Sequence, residues 1–392
     1  MTRPSRRGVL FGSAAAGLGA IAALGIESLT SSTAPAGASE PLHGQDIIPF
    51  YGEHQAGIST SPQAHATYIA LTLREGLDRA SLQRLLRLLT DDAARLTQGR
   101  SALADTEPEL GTLPARLTVT FGFGPKLVEL AGSSAAAVQP LPKFSIDRLE
   151  ARWNDGDLLI HVASDDSLTV SHAQRMLLKD ARRFASVKWI QTGFRRARGS
   201  EASGTTMRNL FGQVDGTVNP SPETPDFDDL VWNSDGSTTV VIRRIQMDVD
   251  TWDELDRSGR EFSVGRTLSN GAPTTGTEEH DEPDFEATNA LGFTVIPAQA
   301  HIRRARSENT SERIFRRGYN YDDQPTGDEI SNSGLIFVSY QKSVAKQYTP
   351  MQQRLADLDA LNQWTTPIGS AVFLIPPGCL EGGYIGENLF SA

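Results

Sequence analysis

A strand–helix–strand rhythm, written twice, constrains this chain most. Residues 66–73 alternate β-branched and small apolar side chains and predict a strand. Residues 79–96 follow with Leu82, Leu85, Leu86 and Leu89 at helical spacing. Further strands are expected over 115–122, 157–163 and 186–192. Helices are expected from 125 and over 171–184, the latter with Ser171 as N-cap. The second half repeats the pattern, with strands over 238–246, 334–340 and 371–376 and helices over 250–258 and 351–364. Two such halves predict an α+β fold, a duplicated ferredoxin-like sandwich of antiparallel sheets carrying helices. The expected boundary lies in the Gly/Ser/Thr-rich stretch near 198–206, giving domains over 39–205 and 206–392. Residues 271–284 read as a long polar loop.

Residues 1–38 are read apart from the fold. Arg6 and Arg7 precede a weakly apolar Ala/Gly run, and a small-residue zone follows near Ala34-Pro-Ala-Gly-Ala38. That pattern resembles a cleaved twin-arginine signal, with export to the periplasm or the medium and no membrane anchor left afterwards. Twin-arginine export carries folded proteins, and this raises the expectation of a bound cofactor. Cys379 is the single cysteine of 392 residues, so no intrachain disulfide forms. The net charge of −11 disfavours nucleic acid and anionic membrane surfaces and admits neutral or cationic small molecules. A homo-oligomer is compatible with these numbers.

Three short segments carry chemistry-bearing residues. Asp215 lies in Gly212-Gln-Val-Asp-Gly216, where glycines bring the backbone close to a ligand and leave the carboxylate free. An Asp-Gly turn alone is common. His301 stands in Ala300-His-Ile-Arg303, a basic cluster in an acidic chain, where it reads either as a surface residue or as an iron ligand. Arg316 and Arg317 lie between apolar elements, with one of the two turned inward. Of the other histidines, His161 in a strand and His172 on a helix read as structural. Cys379, in Pro376-Pro-Gly-Cys379, reads as an ordinary thiol rather than a haem thiolate.

Taken together, these segments resemble the dye-decolorizing peroxidases. The likeness runs from Pro49-Phe-Tyr-Gly-Glu-His54 through the GxxDG at 212–216, Gly265-Arg-Thr267 and Ala300-His-Ile-Arg303. It continues through Arg316-Arg-Gly-Tyr-Asn-Tyr321, Gly334-Leu-Ile-Phe-Val-Ser-Tyr340 and Asp359-Ala-Leu-Asn362. The resemblance implies one haem b per chain, with His301 as the iron ligand and Asp359 as acceptor for its other ring nitrogen. It implies Asp215 as the acid–base residue acting on hydrogen peroxide and Arg316 as the fixed charge beside it. It places Gly216, Thr217, Arg266 and Phe337 against the haem, and Arg317 near a propionate. An organic reductant such as a dye or phenol is the implied co-substrate. Two rival readings use the same pocket, release of iron from haem (a deferrochelatase-like activity) and simple haem carriage.

Overall fold

In the computed structural model, residues 42–390 are described, so the expected leader over 1–38 lies outside them. Strand β1 (His65–Leu73) is buried at seven of its nine positions. Helix α1 (Arg79–Thr97) begins where the Asp78 carboxylate accepts from the Ser81 N–H, and it buries Leu82, Leu85, Leu86 and Leu89. There follow β2 (Thr118–Phe123), α2 (Pro125–Leu130), β3 (Leu158–Ser164), α3 (Ser167–Ala181) and β4 (Ala185–Phe194). The cap of α3 is Asp166, which accepts from the Thr169 N–H, and not Ser171, which lies inside the helix.

The second half comprises α4 (Pro225–Val231), β5 (Thr238–Met247), α5 (Val249–Asp253) and α6 (Arg257–Val264). Then come α7 (His301–Ala305), β6 (Phe315–Arg316), β7 (Tyr319–Asp323), β8 (Asn332–Gln341), α8 (Thr349–Leu358) and β9 (Thr365–Ile375). The helix expected over 250–258 is two short ones, because Asp256 caps a new start by accepting from the Gly259 N–H. The helix expected over 351–364 stops at Leu358, and a 3-10 turn (Ala360–Gln363) follows.

All the strands pair antiparallel. In the first half the order is β4-β1-β3-β2, and in the second it is β9-β5-β8-β7. Leaving aside the two-residue β6, which also pairs with β8, both orders rank as fourth, first, third, second within their half, with helices after the first and third strands. This is the ferredoxin-like arrangement, present twice. Single residue pairs join the halves, Phe123 with Leu374 and Phe194 with Asn320. A Cβ on Gly193 would lie 2.6 Å from the Tyr319 Cβ, so only glycine lets β4 and β7 meet there.

One apolar core lies on the strand faces that the two halves share. It takes Tyr68 and Trp189 from the first half and Ile242, Tyr319, Tyr340 and Phe373 from the second. His161 stacks on Tyr68 with ring centroids 4.3 Å apart, and burial pushes its pKa down to about 3. His172 pairs with Asp105 at 2.9 Å. A side chain completes the pairing of β2: Gln55 Nε2 donates to Phe121 O at 3.0 Å, and Gln55 Oε1 accepts from the Phe121 N–H at 2.8 Å.

Candidate active site

A cavity of about 560 Å³ is lined by residues of β5, β8, α6, α7 and α8 together with the loop that carries Asp215. Its size falls in the range of about 300–1,000 Å³ that cofactor pockets occupy. Phe211, Ile245, Met247, Leu335, Phe337 and Leu361 supply apolar wall.

The Asp215 loop is built by local hydrogen bonds. Asn209 Oδ1 accepts from the Phe211 and Gln213 N–H groups at 3.1 and 3.2 Å, an Asx-type turn. The Arg208 guanidinium donates to Gly212 O and Leu268 O. The Asp215 N–H donates to Met207 O at 2.8 Å. Gly216 then takes φ +135°, a conformation that side-chain-bearing residues rarely adopt. The Asp215 carboxylate is thereby presented to Arg316, with Oδ1 2.7 Å from the guanidinium. Asn209 Nδ2 donates to Oδ2 over a longer 3.4 Å. Burial alone would raise the Asp215 pKa. Burial is the largest single influence, but Arg316 and, in smaller measure, His301, Asn209 and Arg195 together outweigh it and hold the carboxyl below its usual range.

Arg316 is held by its backbone. Its N–H donates to Asn219 Oδ1 at 3.0 Å, and its carbonyl accepts from Asn219 Nδ2 at 2.7 Å. One side chain thus ties the strand bearing the arginine to the loop bearing the aspartate.

His301 opens α7, and its Nδ1 lies 2.6 Å from Asp359 Oδ2. A carboxylate only accepts, so the proton sits on Nδ1 and the Nε2 lone pair is left for a ligand. Asp359 is the residue at which α8 breaks. Its other oxygen accepts from the Leu361 N–H at 3.0 Å, which fixes the carboxylate toward α7. Burial disfavours a charged His301, but Asp359 outweighs burial and raises its pKa.

The comparisons with known proteins agree along the whole described fold. Models of the Dyp-type peroxidase N-terminal and C-terminal regions match residues 55–195 and 206–380. The chain belongs to the Dyp-type peroxidase family. It is similar to a DyP-type peroxidase from Cellulomonas bogoriensis, at 51% identity and a TM-score of 0.87, over 90% of this chain and 100% of that one. It is 36% identical over 359 residues to the dye-decolorizing peroxidase of Thermobifida fusca (strain YX), covering 86% of this chain and 83% of the relative. It is 34% identical to a deferrochelatase of Escherichia coli O6:K15:H31 (strain 536 / UPEC), over 99% of this chain and 97% of the relative.

As a Dyp-type peroxidase the chain is a haem-dependent enzyme that acts on hydrogen peroxide and a reductant. The cavity fits a haem on its own chemistry. It offers an imidazole with a free Nε2 and apolar walls suited to a flat ring. Buried Arg243 lines the same cavity; its Nη2 is paired with Asp147, and its Nε and Nη1 make no hydrogen bond among the described residues.

Gly216, Thr217, Arg266 and Phe337 line this cavity together with Asp215, Arg316, His301 and Asp359. Arg317 is a correction to the expected set. Its side chain is fully buried and turned away, donating to Ile58 O, Thr60 O and Gln63 Oε1. Successive residues of an extended chain face opposite sides, so placing Arg316 in the cavity sends Arg317 out of it. Cys379 is buried outside the lining, and burial pushes its thiol pKa up to about 11.

Sequence reasoning missed Arg243, Asn209 and Asn219. The signal for Arg243 was a pair of arginines inside the apolar run 240–245, and for Asn209 an asparagine three residues before Gly212. Asn219 left no signal in the sequence.

Proposed function

We propose that this Dyp-type peroxidase uses haem b, one per chain, to reduce hydrogen peroxide while oxidising an organic reductant of the dye or phenol class. The observation that carries the reading is the meeting of an ion pair, Asp215 with Arg316, and a hydrogen-bonded pair, His301 with Asp359, at one cavity. Haem, when bound, supplies the iron at which the peroxide bond is cleaved and the electron store that the reductant refills.

The chain's own residues then divide the work. His301 Nε2 holds the iron, and Asp359 keeps the Nδ1 proton in place and makes the imidazole a stronger donor. Asp215 takes a proton from one peroxide oxygen and returns it to the other as that oxygen leaves. Oδ2 is the oxygen available for this, since Oδ1 is engaged by Arg316. Arg316 presents fixed positive charge where negative charge develops on the departing oxygen. Gly216, Thr217, Arg266 and Phe337 hold the porphyrin from the cavity wall, and Arg243 offers its unpartnered N–H groups to a polar edge.

Protein reconstituted with haemin should develop a Soret band that responds to peroxide, and it should bleach an anthraquinone dye. Asp215→Asn should lower peroxide turnover by about 10²–10⁴, the usual contribution of general acid–base catalysis. Turnover within about threefold of wild type would remove Asp215 from that role.

A second reading, iron release from haem, is supported by the near-full-length match to a protein named deferrochelatase. Iron-free porphyrin appearing on incubation with haem, without dye turnover, would install it in place of the first. The paired arginines and apolar run at the N-terminus support export by the twin-arginine route to the periplasm or medium. Cell fractionation that finds the chain only in the cytoplasm would overturn that assignment.

A further inference from the structure

We propose that Glu279 is a positioning residue for the peroxide chemistry, holding the Asp215 loop in register through the hydroxyls of Thr206 and Thr217. The inference rests on the acid–base role of Asp215 proposed above. Thr206 lies before Asp215 in the loop and Thr217 after it. Both hydroxyls donate to the same oxygen, Glu279 Oε1, at 2.7 and 2.9 Å. One acceptor therefore closes the two limbs of the loop on each other. Thr206 also packs over the glycine between them, since a Cβ on Gly216 would lie 3.4 Å from the Thr206 methyl.

The acceptor is itself fixed. Arg266 Nη1 donates to the Glu279 carbonyl at 2.8 Å and to Gly271 O at 2.6 Å. Glu279 thus enters the site from the polar loop over 271–284, and its successors His280, Asp281 and Glu282 line the cavity. Hydrogen bonds to a carboxylate are roughly twice as strong as neutral ones, which suits a contact that must hold two limbs. The pair at stake is Asp215 with Arg316, at 2.7 Å. A displacement of about 1 Å at a reacting group can cost about 10² in rate. Nothing else links the 271–284 loop to both limbs by side-chain hydrogen bonds among the described residues.

The test compares Glu279→Ala, Glu279→Gln and the double variant Thr206→Val/Thr217→Val in the haem-loaded enzyme. Glu279→Ala should slow the reaction with peroxide about tenfold or more. It should also move the acid limb of that rate to higher pH, because Asp215 loses its hold on Arg316. Haem transfer to apomyoglobin should become faster, because Thr217 and Gly216 are cavity wall. Glu279→Gln keeps an oxygen that accepts both hydroxyls and should recover most of the loss. The double valine variant keeps the charge and removes the donors, so it should behave like Glu279→Ala. If Glu279→Ala folds poorly, this variant still decides the matter.

An unmoved acid limb and an unchanged haem transfer rate in the alanine and double valine variants would overturn the inference. So would a glutamine variant as impaired as alanine. Asp215→Asn measured in parallel separates the failures. If it is fully active, the acid–base reading falls and the role of Glu279 with it. If it is impaired beside an unaltered Glu279→Ala, only the Glu279 inference falls.

Discussion

Arg316 and Arg317 share a peptide bond but not an environment. Arg316 reaches the cavity and Asp215, whereas Arg317 is sealed among Thr60, Ile58 and Gln63. Their replacement should fail in different currencies. Arg316→Leu should slow the peroxide step by about 10²–10³, as loss of one charge-stabilising donor does, with little change in Tm. It should also shift the acid limb upward. The Asp215 pKa is depressed chiefly by Arg316 against burial, so its carboxylate persists to lower pH when the arginine is present. Arg317→Leu strands buried acceptors and should cost about 1–3 kcal/mol of stability. A slow peroxide step with unchanged Tm in Arg317→Leu would exchange the two roles. At this scale the motifs made Asp215, His301, Arg316 and Asp359 legible as candidates. They did not separate neighbouring arginines, because the phase of side-chain alternation is set by the pairing of Arg316 with Ser339 on β8.

Between elements, the contact of α1 with α3 carries an unusual pair. Asp92 and Asp180 are both buried there, each with an Oδ2 that no other group among the described residues hydrogen-bonds, and Asp92 Oδ1 accepts from the Leu103 N–H at 2.7 Å. Burial first, and then the neighbouring Asp92, push the Asp180 pKa up to about 8. An aspartate raised in this way keeps its proton in the folded chain while the unfolded chain gives it up near pH 4. Its contribution to stability is therefore greatest below about pH 4 and is lost progressively as pH rises toward 8. Asp180→Asn keeps a hydrogen-bonding amide and removes the titration. It should raise stability by about 1–3 kcal/mol at pH 8, change little at pH 4, and flatten the pH dependence of Tm. An unchanged slope would refute the raised Asp180 pKa.

Other features of the elements explain what sequence pattern could and could not deliver. The long buried strands were legible, since β-branched residues crowd β1, β5 and β9. Strand β7 was not, because five residues ending in two aspartates look like a turn. The break at Asp359 was hidden as well. The apolar spacing continues across it, whereas Asp359 caps the following 3-10 turn with one oxygen and meets His301 with the other.

Over the whole molecule, the strand rhythm revealed the duplication, while the joins between the halves left no mark, since each is a single residue pair. From His43 onward the chain forms one compact unit, and its inner core draws on both halves. The halves should therefore unfold together. Gly193→Val would drive a side chain into Tyr319 and the Asn320 carbonyl, at a cost of about 1–3 kcal/mol. Far-UV circular dichroism and tryptophan fluorescence should lose signal in one coincident transition at lowered Tm. Two separated transitions would show halves that stand alone.

Gln55 has a bearing on how the two halves stay joined. Its amide fills both the donor and the acceptor position of buried Phe121 on β2 and also donates to Pro376 O, just past β9, at 2.9 Å. Where those two strands part after one shared rung, a single amide stitches the seam, and its removal would open the duplicated architecture from within.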